Sequence, residues 1–250
     1  MARTELVEIS ETLKDIMNML RSLERRVGKD LPKYHASTYQ AIESLFAIHR
    51  DLDALSSLPP MASPYGGWAI SPDLARLIVE QVLLYKPVTI VELGSGVSTI
   101  LLGHVAKTLP GTRVVSLEHD SLWYANTLVD LQTHRVDNVD LRYAPLTPIE
   151  IDSAEYLWYS AEAFEDLTDI DLVLVDGPPG DVGPRARFPA GPVLHSKCRD
   201  GCLWIVDDTV REDEQEIVRQ WMDSMNLDLL FERVWNSKGA TVLRAPVTRA

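Results

Sequence analysis

From Ser71 onward, the spacing of apolar residues switches repeatedly between a pattern typical of strands and one typical of helices. Short apolar, β-branched runs predict seven strands: VTIVEL, RVVSLE, VDLRYA, LVLVD, LWIVD, LDLLFERV and ATVLRA. Helical periods predict helices at 72–85, 98–108, 121–134, near 189–198 and near 212–224. Because strand and helix follow each other regularly, the pattern predicts right-handed crossovers and a mainly parallel sheet covered on both faces.

The end of the pattern differs from the rest. Only the short segment WNSKG separates LDLLFERV from ATVLRA. It is too short for a helical crossover, so we expect the last strand to run antiparallel to its neighbour. The predicted fold class is therefore α/β, with one antiparallel strand in the sheet.

The N-terminal region carries a helical pattern of its own. Apolar residues recur in alternating steps of three and four at Leu6, Ile9, Leu13, Ile16, Leu20, Leu23 and Val27. This heptad seam predicts a helix that forms a homo-oligomer; the alternative is an amphipathic helix packed on its own domain. A second helix is predicted at 36–55. We assign 1–55 to a helical, oligomerising segment and 56–250 to the main domain, which begins in the Pro- and Gly-rich stretch SSLPPMASPYGGWAISPD.

Composition narrows the classes of partner. Lys and Arg number 24 against 37 Asp and Glu, and the net charge of −13 argues against nucleic acid as a partner. No stretch approaches the roughly 18 to 20 apolar residues of a membrane span, and the N-terminus has no apolar signal core. We therefore expect a cytoplasmic protein that binds neither membrane nor nucleic acid.

A glycine turn is the strongest local motif, in VTIVELGSGVSTILLG at 88–103. Gly94 and Gly96 let a ligand approach the backbone, and the following helix N-terminus offers free amides. A dinucleotide fingerprint would place a third glycine where Thr99 stands. Glu92 would repel a pyrophosphate, yet it could accept a hydrogen bond from an ammonium group or order the turn. The motif favours an adenosyl ligand without phosphates.

A second acidic residue supports an adenosine ligand. Glu118 ends the strand of VVSLEHD, about 20 residues beyond the turn, where a carboxylate meets ribose hydroxyls in nucleotide-binding sheets.

Taken together, VELGSGVST, SLEHD, LVLVDGPPG and IVDD resemble the successive motifs of class I S-adenosylmethionine (SAM)-dependent methyltransferases, in particular a small-molecule O-methyltransferase group. The resemblance covers about 65–245 and implies a Rossmann-like seven-stranded methyltransferase sheet whose last strand is antiparallel. It also implies SAM as the cofactor. The segment RYAPL departs from many relatives, which place an acid or amide there near the adenine, so the adenine contacts stay open.

The resemblance assigns cofactor-binding roles to particular residues. Around the methionine part it places Glu92, Gly94, Ser95 and Gly96, and at the ribose Glu118. Ser71 in AISPD resembles the position that contacts the methionine carboxylate. Thr99 and His119 complete the predicted cofactor-binding set.

Three acids follow two of the predicted strands: Asp176 after LVLVD, and Asp207 with Asp208 after LWIV. Their convergence at one sheet edge would require a cation, and oxygen ligands suit Mg²⁺ or another divalent ion. The arrangement resembles the metal site of catechol-type O-methyltransferases, where the ion lowers the pKa of a substrate hydroxyl. The competing interpretation is structural: Asp208 begins a helix and Asp176 turns the chain.

The remaining chemistry concerns proton transfer and the acceptor. The candidate catalytic residues are Asp176, His119 and His195. The loop GPPGDVGPRARFPAG offers Arg185 and Arg187, either to contact an acceptor or as solvated side chains. The leading hypothesis is methyl transfer to a hydroxyl of a small molecule, a sugar or secondary metabolite. The alternatives are a metal-binding, hydroxylase-associated protein of an antibiotic-type pathway and an oligomeric SAM-binding scaffold without catalysis.

Overall fold

The computed structural model describes residues 69–233 and 238–247. In chain order the elements are α1 (Pro72–Tyr85), β1 (Thr89–Leu93), α2 (Val97–Ala106), β2 (Arg113–Glu118), α3 (Ser121–Thr133), β3 (Val139–Tyr143), β4 (Leu146–Ile151), β5 (Ala154–Tyr159), β6 (Ile170–Val175), α4 (Ala190–Leu194), β7 (Cys198–Asp207), α5 (Glu212–Met225), β8 (Asp228–Arg233) and β9 (Ala240–Arg244).

Seven strands form one sheet in the order β3-β2-β1-β6-β7-β9-β8. The five strands from β3 to β7 pair in parallel, whereas β9 lies antiparallel between β7 and β8. This topology confirms the predicted α/β fold with an antiparallel last strand. All seven predicted strands are present in the sheet.

Burial on both faces explains why the central strands read as continuous apolar runs. β6 is buried at five of its six positions, and α2 is buried at all ten. One core cluster contains Val91, Val173 and Trp204, and the other contains Ile90, Leu172 and Ile205. Neighbouring residues of each strand therefore point into opposite layers, which is the arrangement of a parallel sheet covered by helices.

The strand register brings four turns to one edge of the sheet. Leu117, Leu93, Val175 and Val206 are aligned across β2, β1, β6 and β7. The next residues along these strands are Glu118, Gly94, Asp176 and Asp207. Parallel strands thus place the predicted motifs side by side, at the edge where α/β sheets bind ligands.

Two features differ from the sequence-based expectation. A separate two-stranded hairpin, β4 with β5, follows β3 and was not predicted. The helix expected near 189–198 is short: α4 ends at Leu194 and a 3₁₀ turn covers His195–Lys197. Gly191 in α4 packs against the indole of Trp221, so this region is shaped by tertiary contact rather than by helical periodicity.

The predicted helical segment 1–55, its homo-oligomerisation and its boundary with 56–250 lie outside the described residues. They stay predictions. Among the residues that the structure describes, no helix has the length and apolarity needed to cross a membrane.

Candidate functional site

A cavity of about 320 Å³ opens at the carboxyl edge of the sheet. Its walls come from the turns after β1, β2 and β6 and from one face of α3. Gly94, Ser95, Gly96, Glu118 and His119 line it. Asp176, Gly177 and Tyr159 also line it. The glycine turn, the predicted ribose acid and the first acid of the predicted metal set therefore share one cavity.

Two glycines from different strands come into contact at the cavity floor. Gly94 has a φ of +93°, and a Cβ built on it would lie 3.1 Å from the amide nitrogen of Gly177. A Cβ on Gly177 would lie 3.0 Å from Gly94 Cα and would collide with the hydroxyl of Tyr159. The backbone after β1 and the backbone after β6 meet here because neither residue has a side chain.

Glu92 lies beneath the turn and does not line the cavity in the described part of the chain. It is fully buried and accepts hydrogen bonds of 2.6 Å from Thr99 Oγ1 and from Ser116 Oγ. The Gly96 amide in turn donates to Thr99 Oγ1 at 2.9 Å. Glu92 and Thr99 thus order the glycine turn. Burial raises the pKa of Glu92 from 4.5 to about 7, against the opposing effect of its hydrogen bonds.

This raised pKa has a consequence for stability. The folded state holds the Glu92 proton more tightly than the unfolded state, so stability falls as pH rises from about 4.5 to about 7. Glu92→Gln keeps both hydrogen-bond acceptor contacts but cannot ionise. We expect its free energy of unfolding, relative to the wild type, to increase by up to about 3 kcal/mol over that range. Denaturant unfolding of the ligand-free wild type and variant at several pH values checks this. A difference in their free energies of unfolding that stays constant with pH would contradict it.

Glu118 closes the opposite side of the turn. Its Oε2 accepts hydrogen bonds from the Ser95 amide at 3.0 Å and the Ser95 hydroxyl at 3.1 Å, and its Oε1 accepts one from the Asp120 amide at 2.9 Å. Burial would raise its pKa, but the interaction with His119 and the backbone amides outweighs burial, and the pKa lies below 4.5. Glu118 is therefore a fixed carboxylate at the cavity wall.

The other predicted site residues divide into two groups. His119 lines the cavity, with Nδ1 3.0 Å from Glu118 Oε1. Among the described residues that line the cavity, Ser71, Thr99 and His195 are not found. Ser71 caps α1, its Oγ accepting from the Leu74 amide, and His195 lies in the 3₁₀ turn after α4.

One face of α3 contributes cavity residues that were not predicted. They are Trp123, Asn126, Thr127 and Asp130, spaced by three, one and three. This spacing places them on one face of a helix. Most of these residues are polar, and polar residues on a helix face do not by themselves indicate a ligand. The indole of Trp123 is half exposed at the cavity, and Thr127 Oγ1 lies 2.9 Å from Ser95 Oγ.

The three acids at the carboxyl ends of β6 and β7 converge as predicted. One oxygen of each of Asp176, Asp207 and Asp208 lies within 4.8 Å of the others. Burial, followed by the charge of Asp207, raises the pKa of Asp176 well above 3.8, and burial with the charge of Asp208 raises that of Asp207 to about 6. Asp208 adopts a φ of +63°. A buried guanidinium, that of Arg187, lies among them.

The acid cluster has features for and against the binding of a divalent ion. In favour of one, neither carboxylate oxygen of Asp207 has a hydrogen-bond partner among the described residues. Against it, Arg187 Nη2 lies 2.9 Å from Asp208 Oδ2 and 3.4 Å from Asp176 Oδ1, so two of the three acids already share a cation. Asp207 is fully buried and not reached by solvent, whereas Mg²⁺ in proteins usually keeps several waters. The cluster does not fit a resident catalytic ion.

Solved structures with the same architecture identify the fold. An O-methyltransferase from Bacillus cereus, in complex with SAH, superposes with a TM-score of 0.54 at 17% identity, over 81% of this chain and 90% of that one. The O-methyltransferase TomG from Streptomyces achromogenes, in complex with SAM, gives 0.53 at 17% identity, over 83% and 90%. The SAH-bound methyltransferase PaMTH1 from Podospora anserina gives 0.53 at 15% identity, over 80% and 87%.

The chain has the Rossmann-like fold of the class I methyltransferases. No protein-family model matches the sequence, and no curated protein matches it as a relative. The likeness therefore establishes the fold, and the activity is argued from the site.

Proposed function

We propose that this protein is a SAM-dependent methyltransferase that transfers a methyl group to a hydroxyl oxygen of a small molecule, such as a sugar or secondary metabolite. The observation that carries the proposal is one cavity lined by a fixed carboxylate, Glu118, at the end of β2 and by a second acid, Asp176, directly after β6. Between them the Gly94–Gly177 contact forms a floor without side chains.

This cavity suits an adenosyl sulfonium compound. Glu118 uses part of its acceptor capacity on Ser95 and Asp120, and an ionised carboxylate has further lone pairs for ribose hydroxyls. The acidic walls favour a cationic ligand and disfavour the pyrophosphate of a dinucleotide. When bound, SAM supplies an electrophilic methyl group. The three structural neighbours described above were solved with SAM or SAH, which supports the same assignment here.

Asp176 is the acid best placed to handle the acceptor proton. It lines the cavity beside Gly177, and its raised pKa suits a carboxylate that takes a proton from a hydroxyl. His119 lines the same cavity and is the second candidate for this role. His119 Nδ1 also lies 3.0 Å from Glu118 Oε1, beside the proposed ribose carboxylate.

Calorimetric titration with SAH, NAD and ATP tests the cofactor class directly. We expect SAH to bind with one site per chain and the two phosphorylated nucleotides to bind far more weakly or not at all. Incubation with methyl-labelled SAM and a panel of hydroxylated small molecules then tests transfer. Tight NAD binding without SAH binding would overturn the proposal.

The role of Glu118 gives a quantitative expectation. Glu118→Gln removes the negative charge and leaves one acceptor oxygen, so we expect the Kd for SAH to rise about tenfold, the size of one charge-assisted hydrogen bond. Calorimetry measures the change. Glu80→Gln, on the surface of α1 beside Arg76, is the matched control and should leave the Kd unchanged. Equal Kd values for the wild type, Glu118→Gln and Glu80→Gln would show that Glu118 does not contact the cofactor.

A further inference from the structure

The guanidinium of Arg187 joins the ends of two strands. Its Nη2 donates to the Asp176 carbonyl at 2.7 Å and to Asp208 Oδ2 at 2.9 Å. Its Nη1 donates to the Asp207 carbonyl at 3.1 Å, and its Nε donates to the Pro178 carbonyl at 3.3 Å. All three nitrogens of one side chain therefore bind residues at the carboxyl ends of β6 and β7.

The surroundings of Arg187 are buried and acidic. Only 3% of its side chain is exposed, and Glu214 Oε1 lies 3.9 Å from its Nε. A buried guanidinium requires anionic partners, and buried carboxylates require a cation, so the arginine and the acids depend on each other. Arg211 Nη1 lies 2.9 Å from the same oxygen, Asp208 Oδ2, and the Arg211 side chain is half exposed. The acid cluster thus receives positive charge from two side chains of the protein itself.

We propose that Arg187 is the resident cation of the Asp176, Asp207 and Asp208 cluster, in place of a divalent metal ion, and that it is a positioning residue for Asp176. Two of the three acids that a shared ion would need, Asp176 and Asp208, already lie within 3.4 Å of its Nη2. An ion bound to the same oxygens would lie a few ångströms from a fixed positive charge in a poorly solvated environment, which is strongly unfavourable.

Positioning follows from the same contacts. Arg187 holds both the carbonyl and the carboxylate of Asp176, a residue that lines the cavity. The guanidinium fork is rigid and its bonds have fixed directions, which an ammonium group cannot reproduce. Arg187 therefore sets the direction of the Asp176 carboxylate without touching the acceptor. This second part rests on the proposed methyl transfer, whereas the first part concerns the cluster alone.

Binding of Mn²⁺, followed by electron paramagnetic resonance, tests the first part without any assay of activity. The wild-type chain is expected to show no site tighter than about 1 mM, a range typical of weak cation sites. In Arg187→Ala the lost charge should make Mn²⁺ binding at least about tenfold tighter. Arg185→Ala, on the same loop and bonded to Gln220, is the matched control and should behave as the wild type.

One result overturns the first part: stoichiometric, micromolar Mn²⁺ binding to the wild type that is lost in Asp207→Asn. The wild-type titration alone decides this, so the conclusion does not depend on whether Arg187→Ala folds.

Steady-state kinetics of Arg187→Lys test the second part once an acceptor is found. Lysine retains the positive charge of Arg187 but lacks the guanidinium fork. We therefore expect kcat to fall about 10- to 100-fold, as for a displaced catalytic group, and KM for SAM to stay unchanged. An unchanged kcat would overturn the positioning role. Failure of SAH to bind any chain would overturn the proposed function instead, leaving the Mn²⁺ result intact.

Discussion

Asp176→Asn is expected to lower kcat for methyl transfer about 100-fold or more, while the Kd for SAH changes little. General base catalysis contributes roughly 10²- to 10⁴-fold to a rate, and an amide cannot accept the acceptor proton. Asparagine has nearly the same shape as aspartate and keeps an oxygen toward Arg187, so the floor of the cavity should be preserved. Single-turnover kinetics with labelled SAM, together with calorimetry, separate the chemical step from binding.

Asp181→Asn is the matched control, since Asp181 lies exposed in the short 3₁₀ turn five residues further along. It should retain full activity. If Asp176→Asn also retains full activity, the proton acceptor is another group, and His119→Ala becomes the decisive variant because His119 lines the same cavity. A large loss of SAH affinity in Asp176→Asn would instead place the acid in the cofactor subsite.

The fold and part of the site could be predicted because both depend on local patterns in the sequence. Apolar runs such as LVLVD and LWIVD mark strands buried on both faces, and the residue after each run must lie at the carboxyl edge of the sheet. This reasoning predicted that Asp176 and Asp207 lie at one edge of the sheet, and the spacing of Glu118 from the Gly94 turn related those two residues to one ligand. The structure gives these residues adjacent positions in the strand register.

What could not be predicted depends on contacts between distant parts of the chain. The sequence offers no pattern that distinguishes Arg187, which is buried among acids, from Arg185, which is only partly buried two positions away. The assignment of Ser71 to the ligand came from the resemblance, whereas its hydroxyl caps α1. Thr99 was assigned to the same cofactor-binding set, but its hydroxyl binds Glu92. Tyr159 belongs to a hairpin whose strands carry a proline and charged residues, so no clean alternation marked it.

The contact between the two glycine turns gives the last prediction. Gly177→Ala introduces a methyl group that collides with the Tyr159 hydroxyl and lies 3.0 Å from Gly94 Cα. The tyrosine can shift, but the Gly94 backbone follows the buried strand β1 and cannot move without displacing the turn that forms the cavity floor. Overpacking of this kind costs about 1 to 3 kcal/mol. We therefore expect a lower free energy of unfolding and a Kd for SAH raised about 10- to 100-fold.

A second substitution separates the two contacts. Tyr159→Phe removes the hydroxyl, so in the Gly177→Ala background it should recover part of the lost stability, yet little SAH affinity, since the Gly94 contact persists. Gly183→Ala, whose added methyl group meets no atom of the described chain within 4 Å, should leave both quantities unchanged. Full recovery of SAH affinity by Tyr159→Phe would show that the tyrosine, and not the approach of the two backbones, sets the shape of the cavity floor.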